Sequence, residues 1–123
     1  MKEVVAIIRM NRMNQTKQAL AAAGCNAFHA RECLGRGKGL VDFNVLSGVE
    51  YDYEEAAARL GGTQRLFPKR MLSIMLPDKM VDRAVKTIIE VNRTGKSGDG
   101  KIFVMPVMEG YLIRTGESGD ETL

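Results

Sequence analysis

The chain has 123 residues, 45% of them hydrophobic, and a formal charge of +3. That composition suffices for one compact domain, or one subunit of an oligomer, and excludes a chain disordered throughout. The charge is spread, no basic run is longer than Lys69-Arg70, and only 6% of residues are aromatic, so a nucleic-acid surface is not expected. Cys25 and Cys33 make no disulfide framework and read as small core hydrophobes, and a single histidine argues against a metal site. No stretch approaches a membrane span, and the apolar start is too short for a signal peptide. The expected location is cytoplasmic, without membrane insertion.

In chain order, residues 3–9 are apolar and rich in β-branched side chains, the pattern of a buried strand. Asn11 is placed to cap a helix that runs to about Ala23 and stops at Gly24. Residues 26–34 read as a second strand, broken by Gly35-Arg36-Gly37-Lys38-Gly39. From Arg36 to Phe67 the pattern weakens, and a connection this long in a small domain is usually functional. Within it, Asp52, Glu54 and Glu55, an alanine run, Arg59-Leu60 and Gly61-Gly62 spell a helix of about two turns, too short to stand alone. Lys69 to Leu76 reads as a third strand. Pro77-Asp78 opens a helix whose Val81, Val85, Ile88, Ile89 and Asn92 share one face. Ile102 to Val107 reads as a fourth strand and Tyr111 to Arg114 as a short fifth. The order βαββαβ predicts an α+β, ferredoxin-like sandwich with both helices on one face of an antiparallel sheet. Its other face then needs cover, which points to oligomerisation.

The segment between the second helix and the fourth strand, Thr94-Gly95-Lys96-Ser97-Gly98-Asp99-Gly100-Lys101, holds three glycines and two lysines. Glycine lets backbone approach a ligand, successive N–H groups make an anion-binding concavity, and lysines suit phosphate. Gly95-Lys96-Ser97 is not the end of a Walker A loop, because the position five residues before Gly95 is Glu90 and the segment follows a helix rather than opening one. The residues alone leave a phosphate site and a glycine-rich turn equally open.

Resemblance adds to this reading. The opening strand, Gly35 and Gly37, Pro68-Lys69, Pro77-Asp78, Thr94-Gly95-Lys96, Gly98-Asp99-Gly100-Lys101-Ile102-Phe103-Val104 and Arg114-Thr115-Gly116-Glu117 fall in the order found in the PII nitrogen-signalling proteins. The resemblance spans nearly the whole chain. It implies a single domain over 1–123 and a trimer-forming subunit, as a homotrimer or a heteromer with a sister PII subtype, with ATP or ADP in the clefts between subunits. It implies effector binding rather than catalysis. Gly98, Asp99, Gly100 and Lys101 then match the phosphate-binding loop (94–101), and Arg114 and Thr115, in the C-terminal segment 111–123, match what the neighbouring subunit contributes. Gly35, Gly37 and Lys38 match the base of the long T-loop, about 36–67. Ser73 and Met75 fall where the third strand lines the adenine pocket, ordinary strand packing being the alternative. Lys69 matches the lysine that pairs with a carboxylate of the effector 2-oxoglutarate, a solvated strand-start lysine being the alternative. His29 reads as a strand-face histidine near the nucleotide cleft.

Departures from the family pattern are informative. Lys38 replaces an arginine and loses its bidentate fork. Gly39 replaces the glutamine that helps hold the Mg²⁺ between ATP and 2-oxoglutarate, so that site should be weaker. Leu112 replaces a second arginine near Arg114, which predicts weaker triphosphate binding. About eleven extra residues follow Tyr51, and that tyrosine, matching one that some bacteria uridylylate, reads better as an aromatic in a partner-binding loop. The longer loop and the Gly-Arg-Gly-Lys-Gly base resemble PII proteins encoded within nitrogenase gene clusters, especially their second subtype, which bind dinitrogenase and shut it off. The alternatives are a general PII role on an ammonium channel or nitrogen-assimilation enzymes, and a slow ATPase. No nucleophile–base pair supports the latter.

Overall fold

A computed structural model describes residues 1–37 and 66–123 of the chain. Strand β1 spans Lys2–Ile8, helix α1 Met13–Ala22, β2 His29–Gly35, β3 Phe67–Leu76, helix α2 Asp78–Asn92 and β4 Lys101–Pro106. The sheet order is β2-β3-β1-β4, with every neighbouring pair antiparallel. This is the expected ferredoxin-like α+β arrangement. The inferred helix within the long connection, with Lys38, Gly39 and Tyr51, lies outside the described residues.

Strand pleating divides the side chains between two faces. Val4, Ala6 and Ile8 of β1 and Leu72, Ile74 and Leu76 of β3 are buried and meet Leu20 and Cys25 from α1 and its end, and Ala84 and Ile88 of α2. Fully burying side chains such as Leu20, Leu72 or Ile74 contributes about 1.5–3 kcal/mol each. A buried polar contact ties the helices: Asn92 Nδ2 donates to Thr16 Oγ1 at 3.0 Å and to the Ile88 carbonyl at 2.9 Å. The opposite face carries Glu3, Val5, Ile7, Met71, Ser73 and, through the ladder, Phe103 and Met105. Phe103 is 49% and Met105 39% exposed, so the described residues leave this face uncovered.

Three local readings need correction. Asn11 caps no helix: after Ile8 the chain makes a 3-10 turn over Met10–Arg12, and α1 begins from Arg12 without a side-chain cap. The stop at Gly24 holds. Its φ is +88°, its N–H bonds the Ala21 carbonyl and Cys25 N–H bonds the Leu20 carbonyl, the paired closure that glycine permits. Cys25 is a core residue whose thiol pKa is pushed up by burial, but Cys33 sits half-buried on the open face of β2, opposite Lys69. The inferred fifth strand is instead a turn closed on itself, with Tyr111 bridging Ser118 and Leu112 N–H bonding the Glu117 carbonyl.

Candidate functional site

Four chain segments converge at one end of the sheet. β1 ends there at Ile8 and β2 at Gly35, while β3 begins at Phe67 and β4 at Lys101; Gly35 pairs with Phe67, Arg70 with Ile8 and Lys101 with Ile7. This ladder brings Gly35, Lys69 and Lys101 to the same end, with Gly37 two residues beyond Gly35 and the Gly98 carbonyl bonded by Lys69. A Cβ added to Gly35 or Gly37 would meet nothing within 4 Å among the described residues, so their packing does not force glycine at either position.

The glycine loop between α2 and β4 is internally fixed. The Asp99 carboxylate accepts from the backbone N–H of Thr94 at 2.8 Å and of Gly95 at 2.9 Å, and from the Thr94 hydroxyl. Arg9, 4% exposed and immediately after β1, donates through Nη1 to Asp99 Oδ1 at 2.7 Å and through Nη2 to the Ser97 carbonyl at 3.0 Å. Lys69, 8% exposed, donates to the Gly98 carbonyl at 3.1 Å. Gly100, at φ +108°, lies so close to β1 that a Cβ would stand 1.9 Å from the Ile7 carbonyl oxygen. Asp99 thus faces the loop's own donors, an orientation suited to holding the loop rather than meeting a phosphate.

Burial alone would raise the Asp99 carboxyl; hydrogen bonds from Thr94, Arg9 and Gly95 outweigh it and hold the pKa at about 2. A carboxylate lowered on folding stabilises its surroundings above its ordinary pKa, near 3.8, and loses that contribution as pH falls through about 2. The Thr94 and Gly95 amide resonances should therefore stay unshifted down to pH 4 and titrate together near pH 2, a transition absent in Asp99→Asn. A midpoint near 4 would show that these bonds do not form in solution.

Ser73 and Met75 lie farther along β3 on the open face, opposite Val5 and Glu3. The Ser73 hydroxyl donates to Glu3, and a hollow of about 520 Å³ opens there among Glu3, His29, Arg31, Met71, Ser73 and Met105. A second cleft, about 430 Å³, runs beneath the glycine loop between α2 and β4, lined by Val85, Ile89, Asn92, Lys101 and Val104 among others. Arg114 and Thr115 are exposed in the C-terminal turn. That turn is rooted at the other end of the sheet, where Val107 N–H bonds the Met1 carbonyl and Gly119 N–H bonds the Gly110 carbonyl. The seven residues of β1 separate that end from the loop by roughly 20 Å. Lys38 lies outside the described residues.

Arg9 was not legible as a functional position, and Thr94 was read only as part of the loop motif, not as a partner of Asp99. Arg9 is 90 residues from Asp99, and no local spacing signals that contact. Among the described residues no group of three or more His, Cys, Asp or Glu could hold a metal ion, and no helix is long and apolar enough to cross a membrane.

Residues 1–117 match the family Nitrogen regulatory protein P-II. The chain is 43% identical over 125 residues to the "Nitrogen fixation nifHD region GlnB-like protein 2" of Methanothermobacter marburgensis, covering all of both chains. It is 41% identical over 123 residues to the protein of that name in Methanococcus maripaludis, again over all of both chains. It is 34% identical over 123 residues to the "Nitrogen regulatory protein P-II" of Cereibacter sphaeroides, also at full coverage. With its sheet, its glycine loop and these relatives in agreement, the chain belongs to the PII family of nitrogen regulatory proteins.

Proposed function

We propose that this PII protein is a nitrogen-status regulator that binds ATP or ADP in clefts between subunits and controls nitrogenase by docking its long loop, about 36–67, onto dinitrogenase. The carrying observation is the convergence of Gly35, Gly37, Lys69 and Gly98–Lys101 around an already ordered glycine loop. Backbone N–H groups and the Lys101 ammonium at that loop suit a polyphosphate. Arg114 and Thr115 hang from the opposite end of the sheet, which favours their service to a neighbouring copy's cleft. The uncovered apolar face around Phe103 and Met105 supports assembly into a trimer, alone or with a sister subtype. The "nifHD region" in the relatives' names supports nitrogenase as the target.

In this reading the protein regulates and does not catalyse. ATP and ADP compete, and occupancy shifts the long loop only as far as each nucleotide binds the loop's alternative arrangements differently. Lys69 supplies a cation for a carboxylate of 2-oxoglutarate. Mg²⁺ enters with the nucleotide; the loop's carboxylate, Asp99, is engaged by Arg9, Thr94 and Gly95 and is not offered to it.

Calorimetry on Lys101→Ala tests the site. Loss of a charged donor to phosphate should weaken ATP at least about tenfold, near 1.4 kcal/mol. Unchanged affinity would remove Lys101 from the phosphate contacts. Retention of purified dinitrogenase by the wild-type protein, released by ATP with 2-oxoglutarate, tests the target.

A further inference from the structure

We infer that Arg9, with Lys69 beside it, is a positioning residue that turns the amide N–H groups of Gly98 and Asp99 outward to meet the phosphates. The inference rests on the nucleotide-binding reading above and adds to it the device that shapes the loop.

A trans peptide unit carries its C=O and its N–H on opposite sides. Fixing the carbonyl therefore fixes where the N–H points. The Ser97 carbonyl, which shares a peptide unit with the Gly98 N–H, accepts from Arg9 Nη2 at 3.0 Å. The Gly98 carbonyl, which shares a unit with the Asp99 N–H, accepts from Lys69 Nζ at 3.1 Å. Two consecutive carbonyls are thus drawn toward buried cations, and two consecutive N–H groups are directed away from them. That is the arrangement an anion-binding concavity needs. The cations also polarise the peptide units they hold, which makes the outward N–H ends better donors.

Arg9 is suited to this where a lysine is not. Its planar fork spans two acceptors at fixed separation, the Ser97 carbonyl and the Asp99 carboxylate. The carboxylate compensates the buried guanidinium, and in turn gathers the Thr94 and Gly95 N–H groups at the start of the loop. One side chain, anchored directly behind β1, thereby locks both the entry and the middle of the loop. An empty loop held in its binding geometry spares the ligand the cost of ordering it.

The test uses the full chain with Arg9→Met and Arg9→Lys. In the ligand-free protein, backbone order parameters of Gly98 and Asp99 should fall from the rigid range, about 0.85, to below about 0.6 in Arg9→Met, with α2 unchanged. ATP affinity should drop about tenfold in Arg9→Met and by an intermediate amount in Arg9→Lys, which restores the charge but only one arm of the fork. Rigid Gly98 and Asp99 amides in Arg9→Met, wild-type ATP affinity there, or no recovery in Arg9→Lys would overturn the assignment. Should Arg9→Met fail to fold, Lys69→Met releases the Gly98 carbonyl alone, and the Asp99 amide then has to loosen while Gly98 stays ordered. A wild-type chain that binds no ATP overturns the nucleotide reading instead, and the order parameters still decide what Arg9 does to the loop.

Discussion

Gly100→Ala should be among the most damaging single-methyl additions in this protein, lowering the melting temperature by roughly 8 °C or more and removing measurable ATP binding. The added Cβ would stand 1.9 Å from the Ile7 carbonyl oxygen and 3.0 Å from its carbon, and both are backbone atoms of a central strand. No rotamer change relieves such an overlap. Either β4 separates from β1 at Lys101 or the loop leaves its φ of +108°. The strained φ alone costs about 1–3 kcal/mol for a residue with a side chain. A loss of about 2 kcal/mol corresponds to roughly 8 °C in a domain of this size. Gly95→Ala is the control. Its φ is +86°, but a Cβ there meets nothing within 4 Å, so it should show only the conformational part of the loss. Melting at one fixed protein concentration keeps any change in assembly from blurring the comparison. Equal losses in the two variants would show that backbone conformation, not the close approach to Ile7, requires glycine at position 100.

The parts of the fold that depend on neighbours in sequence were legible, and the parts that depend on distant partners were not. β1 and β3 announced themselves because their buried sides are continuous aliphatic stripes, Val4-Ala6-Ile8 and Leu72-Ile74-Leu76. α2 followed from its apolar spacing; of the face read from it, Ile88 and Asn92 are buried, while Val81, Val85 and Ile89 are half-buried and Ala84 is a buried position the spacing did not name. Asn11 misled because its residue type suits a cap, while the path of the chain after Ile8 spends that position in a 3-10 turn. The 111–114 segment misled because apolar content alone makes no strand; its pairing comes from Ser118, seven residues on from Tyr111. The loop's glycines and lysines were visible as a candidate anion site, with a glycine-rich turn equally open, but the sequence showed Asp99 only as a loop member. Its work as the loop's internal anchor appears once Arg9, 90 residues away, is in contact with it. Ionic contacts of that range leave no periodic trace, so a single sequence shows a glycine-rich loop more readily than the distant residue that holds it.

Excision of residues 52–62 should separate sensing from output: full ATP affinity, unchanged assembly and no inhibition of dinitrogenase. The proposed nucleotide site is built from the sheet end and the glycine loop, and its described contacts involve Arg9, Lys69, Thr94, Gly95 and Ser97–Lys101, none of which the excision touches. The sequence of the excised segment is what makes it the proposed docking element. Its acids Asp52, Glu54 and Glu55 precede an alanine run and Arg59-Leu60, which suits a short helix offering one apolar contact between charged ends. A helix of about two turns, as read from the sequence, is marginal alone, so in the proposed mechanism a partner supplies the order. Ordering costs about 1–2 kcal/mol per residue in backbone entropy, and only favourable packing against the target offsets it. Such a segment therefore contributes through binding or not at all, and its removal should abolish inhibition rather than weaken it by degrees. The measurements are calorimetric ATP affinity, mass in solution and dinitrogenase activity with the shortened protein added. If the shortened protein binds ATP normally and still inhibits fully, docking resides elsewhere, and the link between the long loop and nitrogenase control loses its mechanism. If ATP affinity falls as well, the segment reaches the nucleotide site, and sensing and output are not separable in this protein.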